Sequence, residues 1–367
     1  METRPNYFLL LLLLHFMIAI EEALAFPKAS NNSVTAILVF GDSTVDPGNN
    51  NFIATIFKGN FPPYGKDFPN HIPTGRFSNG RLATDFVASY IGVKEYVPPY
   101  LDPTLTIEEL MTGVSFASAG SGFDPLTPQI SNVISTETQM EYFKEYKKRL
   151  ESAIGKKRAE NHINKALFII SCGTNDFIVN YLTIPIRRKT FTISAYQQFI
   201  LHKSLQFVQD LVDEGARRIS IAELPPMGCI PAVITIFSKN ATNAILERNC
   251  IDSYSSIGIN LNQMLRNELN LMQNRLLNLG LKISILATYG PLKDVIQGDG
   301  RSAFDEVNIG CCGTGYLEAG ILCNPESFVC PDASKYVFWD SIHPTETTYY
   351  YIFQAMRPTI DFLIRDP

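Results

Sequence analysis

The chain has 367 residues, 46% of them hydrophobic, with 31 Lys and Arg against 36 Asp and Glu for a formal charge of −5. That is ample material for a large core, and a charge so close to neutral excludes nucleic acid as a partner. Neither an internal repeat nor a low-complexity linker divides the sequence.

At the N-terminus the single cation Arg4 precedes an apolar run from Phe8 to Ile20 that only His15 interrupts, and Ala23-Leu24-Ala25 follows. This is the layout of a secretory signal peptide, so residues 1–25 are expected to be removed. One cation and three carboxylates leave with it, and the charge becomes −3. The run is shorter than the ~20 residues that span a bilayer, and no later stretch approaches that length, so no transmembrane segment is expected. Residues 26–367 are expected to form a single secreted domain, with Asn31 and Asn240 as N-glycosylation candidates in N-x-[ST] sequons.

From residue 36 onward, short apolar runs alternate with longer segments of helical period, the pattern of parallel strands joined by crossover helices. The first run, "AILVF" (36–40), ends in Gly41-Asp42-Ser43; a helix is predicted near 80–91. The second, "GVSFA" (113–117), ends in Ser118-Ala119-Gly120-Ser121-Gly122, before a helix at 136–152. The third, "ALFIIS" (166–171), ends in Gly173-Thr174-Asn175-Asp176, before a helix at 192–215. The fourth, "RISIAEL" (218–224), ends in "PPMGC", before a helix at 245–279. The fifth is "KISILA" (282–287), and a last helix follows Pro344 through "TETTYYYIFQAM". The pattern predicts an open five-stranded sheet covered on both faces. Ligands bind such sheets beyond the carboxyl ends of the strands, where three of the first four runs offer a hydroxyl, an amide or exposed backbone N–H groups.

All seven cysteines fall in the secreted part, where disulfides form. Four lie within "CCGTGYLEAGILCNPESFVC", which lacks the C-x2-C spacing of a zinc site, so no metal is expected. Adjacent Cys311 and Cys312 should take different partners. The odd count leaves one thiol over, and Cys172, at the end of an apolar run, is the expected one. The basic residues from Lys144 to Arg158 are interleaved with Glu141, Glu145 and Glu151 and read as a solvated helix face. The aromatic loops "NFIATIFKGNFPPY" and "YVPPYLDP" could line an acyl pocket or pack in the core.

A serine hydroxyl is a weak nucleophile unless a base takes its proton. His162 and His202 read as surface positions and His71 sits in a proline-rich loop, whereas "WDSIHPTE" sets Asp340 three residues before His343 at the mouth of the last helix. That spacing can bring a carboxylate under one imidazole nitrogen and leave the other facing outward. Each residue has a plainer reading as a turn or cap: Ser43 as a turn residue, Asp340 as a helix cap, Asn175 in an Asx turn, Gly120 in a tight turn. Their joint placement at strand ends and at the start of the last helix points instead to acyl transfer. The motifs G-x-S-x-G, H-E-x-x-H and G-x-x-x-x-G-K-[ST] are absent, so the chemistry they mark is not expected, nor is any cofactor.

Eight blocks, "FGDSTVDPGNNN", "PPYGKDFPNHIPTGRFSNGRLATDF", "GVSFASAGSGFD", "GTND", "LPPMGCIP", "ERNC", "CCGTG" and "YVFWDSIHPTE", come in an order that resembles the plant GDSL esterase/lipase family of the SGNH hydrolases, from about Ala36 to about Met356. The resemblance implies a three-layer α/β/α sandwich on a flavodoxin-like parallel sheet. It implies Ser43 as nucleophile, His343 as base and then acid, and Asp340 as the residue that fixes the imidazole. The implied oxyanion hole comprises the backbone N–H groups of Ser43 and Gly120 and the Asn175 side-chain amide. The chain departs from the family's usual second block at Ser115, Ala119 and Ser121 but keeps Gly120. The function implied is a secreted esterase or lipase, in the cell wall or apoplast, acting on a small-molecule or lipid ester through an acyl-enzyme. The alternatives are acyl transfer or carbohydrate acetylester cleavage at the same site, and an idle lipid- or carbohydrate-binding protein. Asp42 is expected to shape the turn that presents Ser43, and the cysteine cluster to staple the loop bearing Asp340 and His343.

Overall fold

Strands buried on both faces are apolar along most of their length, a condition that Ile37–Gly41 and Leu167–Ser171 meet, while Arg218–Ala222 and Lys282–Leu286 interleave Arg218, Ser220, Lys282 and Ser284 with their apolar residues. The computed structural model describes residues 33–298 and 304–365, so the expected leader and the sequon at Asn31 lie outside the described residues. In chain order the first half contains β1 (Ile37–Gly41), α1 (Ala83–Tyr90), α2 (Ile107–Met111), β2 (Gly113–Ser115), α3 (Leu126–Ser131), α4 (Thr136–Ile154), α5 (Lys156–Lys165) and β3 (Leu167–Ser171). The second contains α6 (Ile193–Asp213), β4 (Arg218–Ala222), α7 (Pro231–Phe237), α8 (Asp252–Arg275), β5 (Lys282–Leu286), α9 (Tyr289–Gln297), β6 (Glu306–Gly310), β7 (Tyr336–Phe338) and α10 (Glu346–Ile364).

The first five strands form one parallel sheet in the order β2-β1-β3-β4-β5, the flavodoxin-like arrangement. Successive side chains point to opposite faces. Leu38, Phe40, Phe168 and Ile170 therefore meet α4, α6 and α8, while Ile37, Val39, Leu167 and Ile169 meet α1 and α10. Three layers result. Phe40 anchors the first face, with ring centroids 4.9 Å from Phe116 and 5.7 Å from Phe143. The strand order reverses between β1 and β3, so the loops leaving their carboxyl ends diverge and open a crevice.

Elsewhere the chain differs from its sequence pattern. The helix predicted at 245–279 is broken: Arg248 takes a left-handed turn (φ 52°), and α8 starts only after Cys250. Cys250 is bonded to Cys229, Ile251 N–H donates to Gly228 O at 2.8 Å, and the buried Arg248 guanidinium donates to Pro231 O at 2.8 Å. Those contacts hold "ERNC" as a loop. The last helix instead runs on through Pro358, because Ile360, Leu363 and Ile364 beyond it are buried against the sheet. A second, two-stranded sheet pairs β6 with β7, which no run had suggested. His162 is also not a surface residue: α5 turns it inward with Ala159 and Ile163, and it is 7% exposed. Lys148, Arg149, Lys156, Lys157 and Arg158 are exposed, and Lys144 pairs with Glu141 at 2.8 Å.

Candidate active site

Gly41 closes β1 with φ 138°, and a Cβ there would stand 1.8 Å from Ser171 O on β3. Only glycine fits this approach. The buried amide of Gln139, on α4, brackets the same residue: Gly41 N–H donates to Oε1 at 2.8 Å, and Nε2 donates to Gly41 O at 2.9 Å. Asp42 N–H then donates to Ser171 O at 3.0 Å, and Asp42 Oδ1 accepts from the Thr44 N–H at 3.0 Å and from its hydroxyl at 2.8 Å. Asp42 thus folds the turn over Ser43. Burial pushes the Asp42 carboxyl up to about 6, although both Thr44 bonds oppose the rise.

Ser43 Oγ lies 2.8 Å from His343 Nε2 across 300 positions of sequence. His343 Nδ1 lies 2.8 Å from Asp340 Oδ2, so a proton on Nδ1 bonds to the carboxylate and leaves the Nε2 lone pair for the serine hydroxyl. Asp340 is fully buried and is no helix cap; Thr345 caps α10, accepting from Thr348 N–H. Asp340 Oδ1 instead accepts the N–H groups of Ile342 at 2.8 Å and His343 at 2.7 Å. The same carboxylate therefore shapes the turn and orients the ring. Oδ2 also accepts from Tyr64 OH at 2.7 Å, and Gly320 N–H donates to that hydroxyl at 2.8 Å. Phe77 packs on the imidazole with centroids 4.9 Å apart.

The loop after β2 is gripped from both sides. From the first, Asp46 Oδ2 accepts Ala119 N–H at 2.9 Å, Asn49 Nδ2 donates to Ser115 O and Ala117 O at 2.8 Å each, and Asn50 Nδ2 donates to Ala119 O at 2.9 Å. These side chains cover the outer edge of the chain beyond β2, whose inner edge still pairs with β1: Phe116 N–H donates to Val39 O at 2.8 Å and Ser118 N–H to Gly41 O at 3.0 Å. From the second, Asp176 accepts Phe123 N–H at 2.8 Å and Asp124 N–H at 3.1 Å. Gly120 sits between them with φ 89°. Asn175 Nδ2 donates one N–H to Ser121 O at 2.9 Å, and a primary amide has a second to offer.

Ser43, Asn175 and His343 line a common cleft of about 730 Å³, open to solvent, whose apolar wall includes Leu224, Ile230 and Phe338. Asp340 lies beneath the cleft's histidine, and Gly120 is absent from the lining. Cys172 also borders the cleft; it is the free cysteine, and burial raises its thiol well above the usual range, which disfavours a thiolate. The disulfides are Cys229–Cys250, Cys311–Cys330 and Cys312–Cys323, so the adjacent pair does take separate partners. The aromatic loops lie elsewhere: Phe57, Phe61 and Tyr64 pack with the cysteine cluster, and Tyr100 sits in the core. Asn240 is exposed, and its Oδ1 accepts Asn243 N–H at 2.7 Å.

With this geometry in place, comparison with known proteins gives a match to the family described as GDSL-like Lipase/Acylhydrolase over residues 37–356. The chain belongs to that family. The protein named "GDSL esterase/lipase At5g45960" from Arabidopsis thaliana is 60% identical over 345 residues, 94% of this chain and 91% of the relative. "GDSL esterase/lipase At1g06990" from the same plant is 45% identical over 314 residues, 86% of each chain. In this member of the GDSL-like lipase/acylhydrolase family, Tyr64, Gln139, Asp46, Asn49 and Asn50 support the site without having been singled out from the sequence, and Asp176, read there only as a residue of the loop after the third strand, supports it with them. Five of the six stand inside or beside blocks that carry the resemblance, which was the available signal; Gln139 lies in an ordinary helical stretch.

Proposed function

We propose that the protein is a secreted serine hydrolase of carboxylic esters. Ser43 attacks the ester carbonyl while His343 Nε2 takes its proton, and Asp340 holds the ring and stabilises the imidazolium. The tetrahedral oxyanion is held by the Ser43 and Gly120 backbone N–H groups and the free N–H of Asn175, donors that are worth most where water is excluded. Collapse expels the alcohol with a proton from His343 and leaves Ser43 acylated. Water, deprotonated by the same imidazole, then releases the acid. The observation that carries this reading is the Ser43–His343–Asp340 chain, with 2.8 Å at each link. Secretion is supported by the leader at 1–25, by three disulfides and by the exposed sequon at Asn240, and it places the activity in the extracellular space, in a plant the cell wall.

The test is Ser43→Ala on the secreted chain. Turnover of p-nitrophenyl esters should fall by ~10^4 or more, and labelling by a fluorophosphonate should vanish. A variant that keeps its turnover, or a label found on another serine, removes Ser43 as nucleophile.

A further inference from the structure

Asn175, the side-chain donor to the oxyanion, opens a segment of unusual backbone. Residues Asp176–Thr183 wind as a π-helix, a rare, widened turn that is frequent at functional sites and needs its surroundings to hold it. Two carboxylates, each reaching into the other's segment, supply that hold. Asp176 accepts the Phe123 and Asp124 N–H groups and the Thr127 hydroxyl, and it approaches the chain so closely that a Cβ on Gly122 would stand 2.1 Å from its Oδ1. Asp124 returns the contact: its Oδ2 accepts from Asn180 Nδ2, on the π-helix, and from Tyr196 OH, on α6, at 2.9 Å each. Arg187 completes it with a bidentate fork, Nε to Oδ2 and Nη2 to Oδ1 at 2.6 Å each. The Asp124 side chain is fully buried, and the guanidinium stands 5.9 Å from the ring centroid of Phe191 and 5.8 Å from that of Phe199. Neither member of the pair lines the catalytic cleft. Desolvation offsets most of what a buried ion pair gains, so the pair is a weak source of stability and a good device for fixing register.

We propose that Arg187 is a positioning residue for ester hydrolysis: through Asp124 it locks the π-helix against the loop after β2, and so fixes the angle at which the Asn175 amide meets the oxyanion. The proposal rests on the esterase reading and adds a residue to its machinery. One N–H of the Asn175 amide is committed to Ser121 O at 2.9 Å, so the direction of the other follows from where residue 121 lies relative to residue 175. That separation is what Asp124, Asp176 and Arg187 set. Without the fork the buried Asp124 carboxylate loses its compensating charge, the loop parts from the π-helix, and the amide turns away from the position that the oxyanion occupies.

The experiment is a double-mutant cycle of Arg187→Ala and Asn175→Ala in the full secreted chain, read as kcat and KM for p-nitrophenyl butyrate, with Tm as the check on folding. Arg187→Ala should lower kcat by about 30-fold with KM unchanged, a part of the ~10^2 to 10^3 that a whole oxyanion donor is worth. In the Asn175→Ala background the same substitution should cost no more than about 3-fold, because the amide it misplaces is gone. A role in folding alone costs the same factor in both backgrounds. A loss beyond that limit in the Asn175→Ala background, or an undiminished kcat in Arg187→Ala, overturns the proposal; so does an undiminished kcat in Asn175→Ala, which takes the amide out of the hole. Should Arg187→Ala fail to fold, Arg187→Lys keeps the charge beside Asp124 without the fork and takes its place in the cycle, with about 10-fold expected alone and the same limit in the second background. A readout without catalysis comes from the side-chain amide resonances of Asn175, identified as the pair missing from the NMR spectrum of Asn175→Ala. They should shift or broaden in the Arg187 variant, and a pair left unmoved sinks the proposal. A chain that hydrolyses no ester defeats the esterase reading alone, and these resonances still decide whether Arg187 positions the amide.

Discussion

At Asp340, donors converge from two parts of the chain: the backbone and the His343 imidazole of its own turn, and the phenol of the distant Tyr64. A hydrogen bond to a charged acceptor is worth about 1.5–3 kcal/mol, and the Tyr64 bond is buried. Tyr64→Phe keeps the ring, with its packing on Phe77 and Trp339, and deletes only that donor. We expect kcat to fall about 10-fold with KM unchanged, because the carboxylate loses one of the contacts that fix its angle to the ring. A kcat unchanged from that of the unaltered enzyme would reduce Tyr64 to a packing residue. Ser43, Asp340 and His343 were legible in the sequence because each announces itself locally, at a strand end or through a three-residue spacing. Tyr64 meets Asp340 across 276 positions, Gln139 meets Gly41 across 98, and Asp46 meets Ala119 across 73. No local pattern encodes partners so distant, and polar side chains in loops look alike until a buried backbone group is seen to need them.

The elements around Asp340 extend that dependence to the cysteine-rich segment. Cys311 N–H donates to Phe338 O and Cys312 N–H to Trp339 O, while Ser341 N–H donates to Glu318 O, so the segment binds the backbone on both sides of Asp340. Gly320, which donates to Tyr64, lies inside the loop closed by Cys312–Cys323. Replacing that pair, Cys312→Ser with Cys323→Ser, frees the loop while the five-stranded sheet keeps its own core. Activity should drop by about 10-fold or more, through lost positioning, while far-UV circular dichroism stays unchanged at 25 °C. Full activity in a variant shown to lack the bridge would mean that hydrogen bonds alone hold the turn. This region was also the least legible at the level of elements. The strand β6, "EVNIG", is half-buried and mixed in polarity, and β7 has three residues, so neither makes the continuous apolar run that marked β1 and β3. The overlong helix at 245–279 failed for a related reason: its periodicity carries across Cys250, and only the bond to Cys229 and the burial of Arg248 interrupt it.

For the whole molecule, the carboxylates that tie the loops together at the carboxyl end of the sheet carry a cost that depends on pH. Burial raises Asp42 to about 6, Asp46 to about 6 and Asp176 to about 7, in each case against hydrogen bonds that pull the other way. In the unfolded chain the same groups titrate near ~3.9. Between about pH 4 and 7 the folded state therefore holds protons that the unfolded state has released, so stability falls as pH rises through that window and levels off above it. Asp124 behaves in the opposite way: burial would raise it, but Arg187 and its other donors outweigh that and hold it low, so its contribution is lost only as pH falls below the usual carboxylate range. Stability should thus peak in mild acid. A net loss of a few kcal/mol between pH 5 and pH 8 corresponds to a Tm lower by roughly 5 °C at pH 8 in a chain of this size, measurable by circular dichroism at constant ionic strength. A Tm that rises from pH 5 to pH 8 would mean that these three aspartates titrate in the fold much as they do in water.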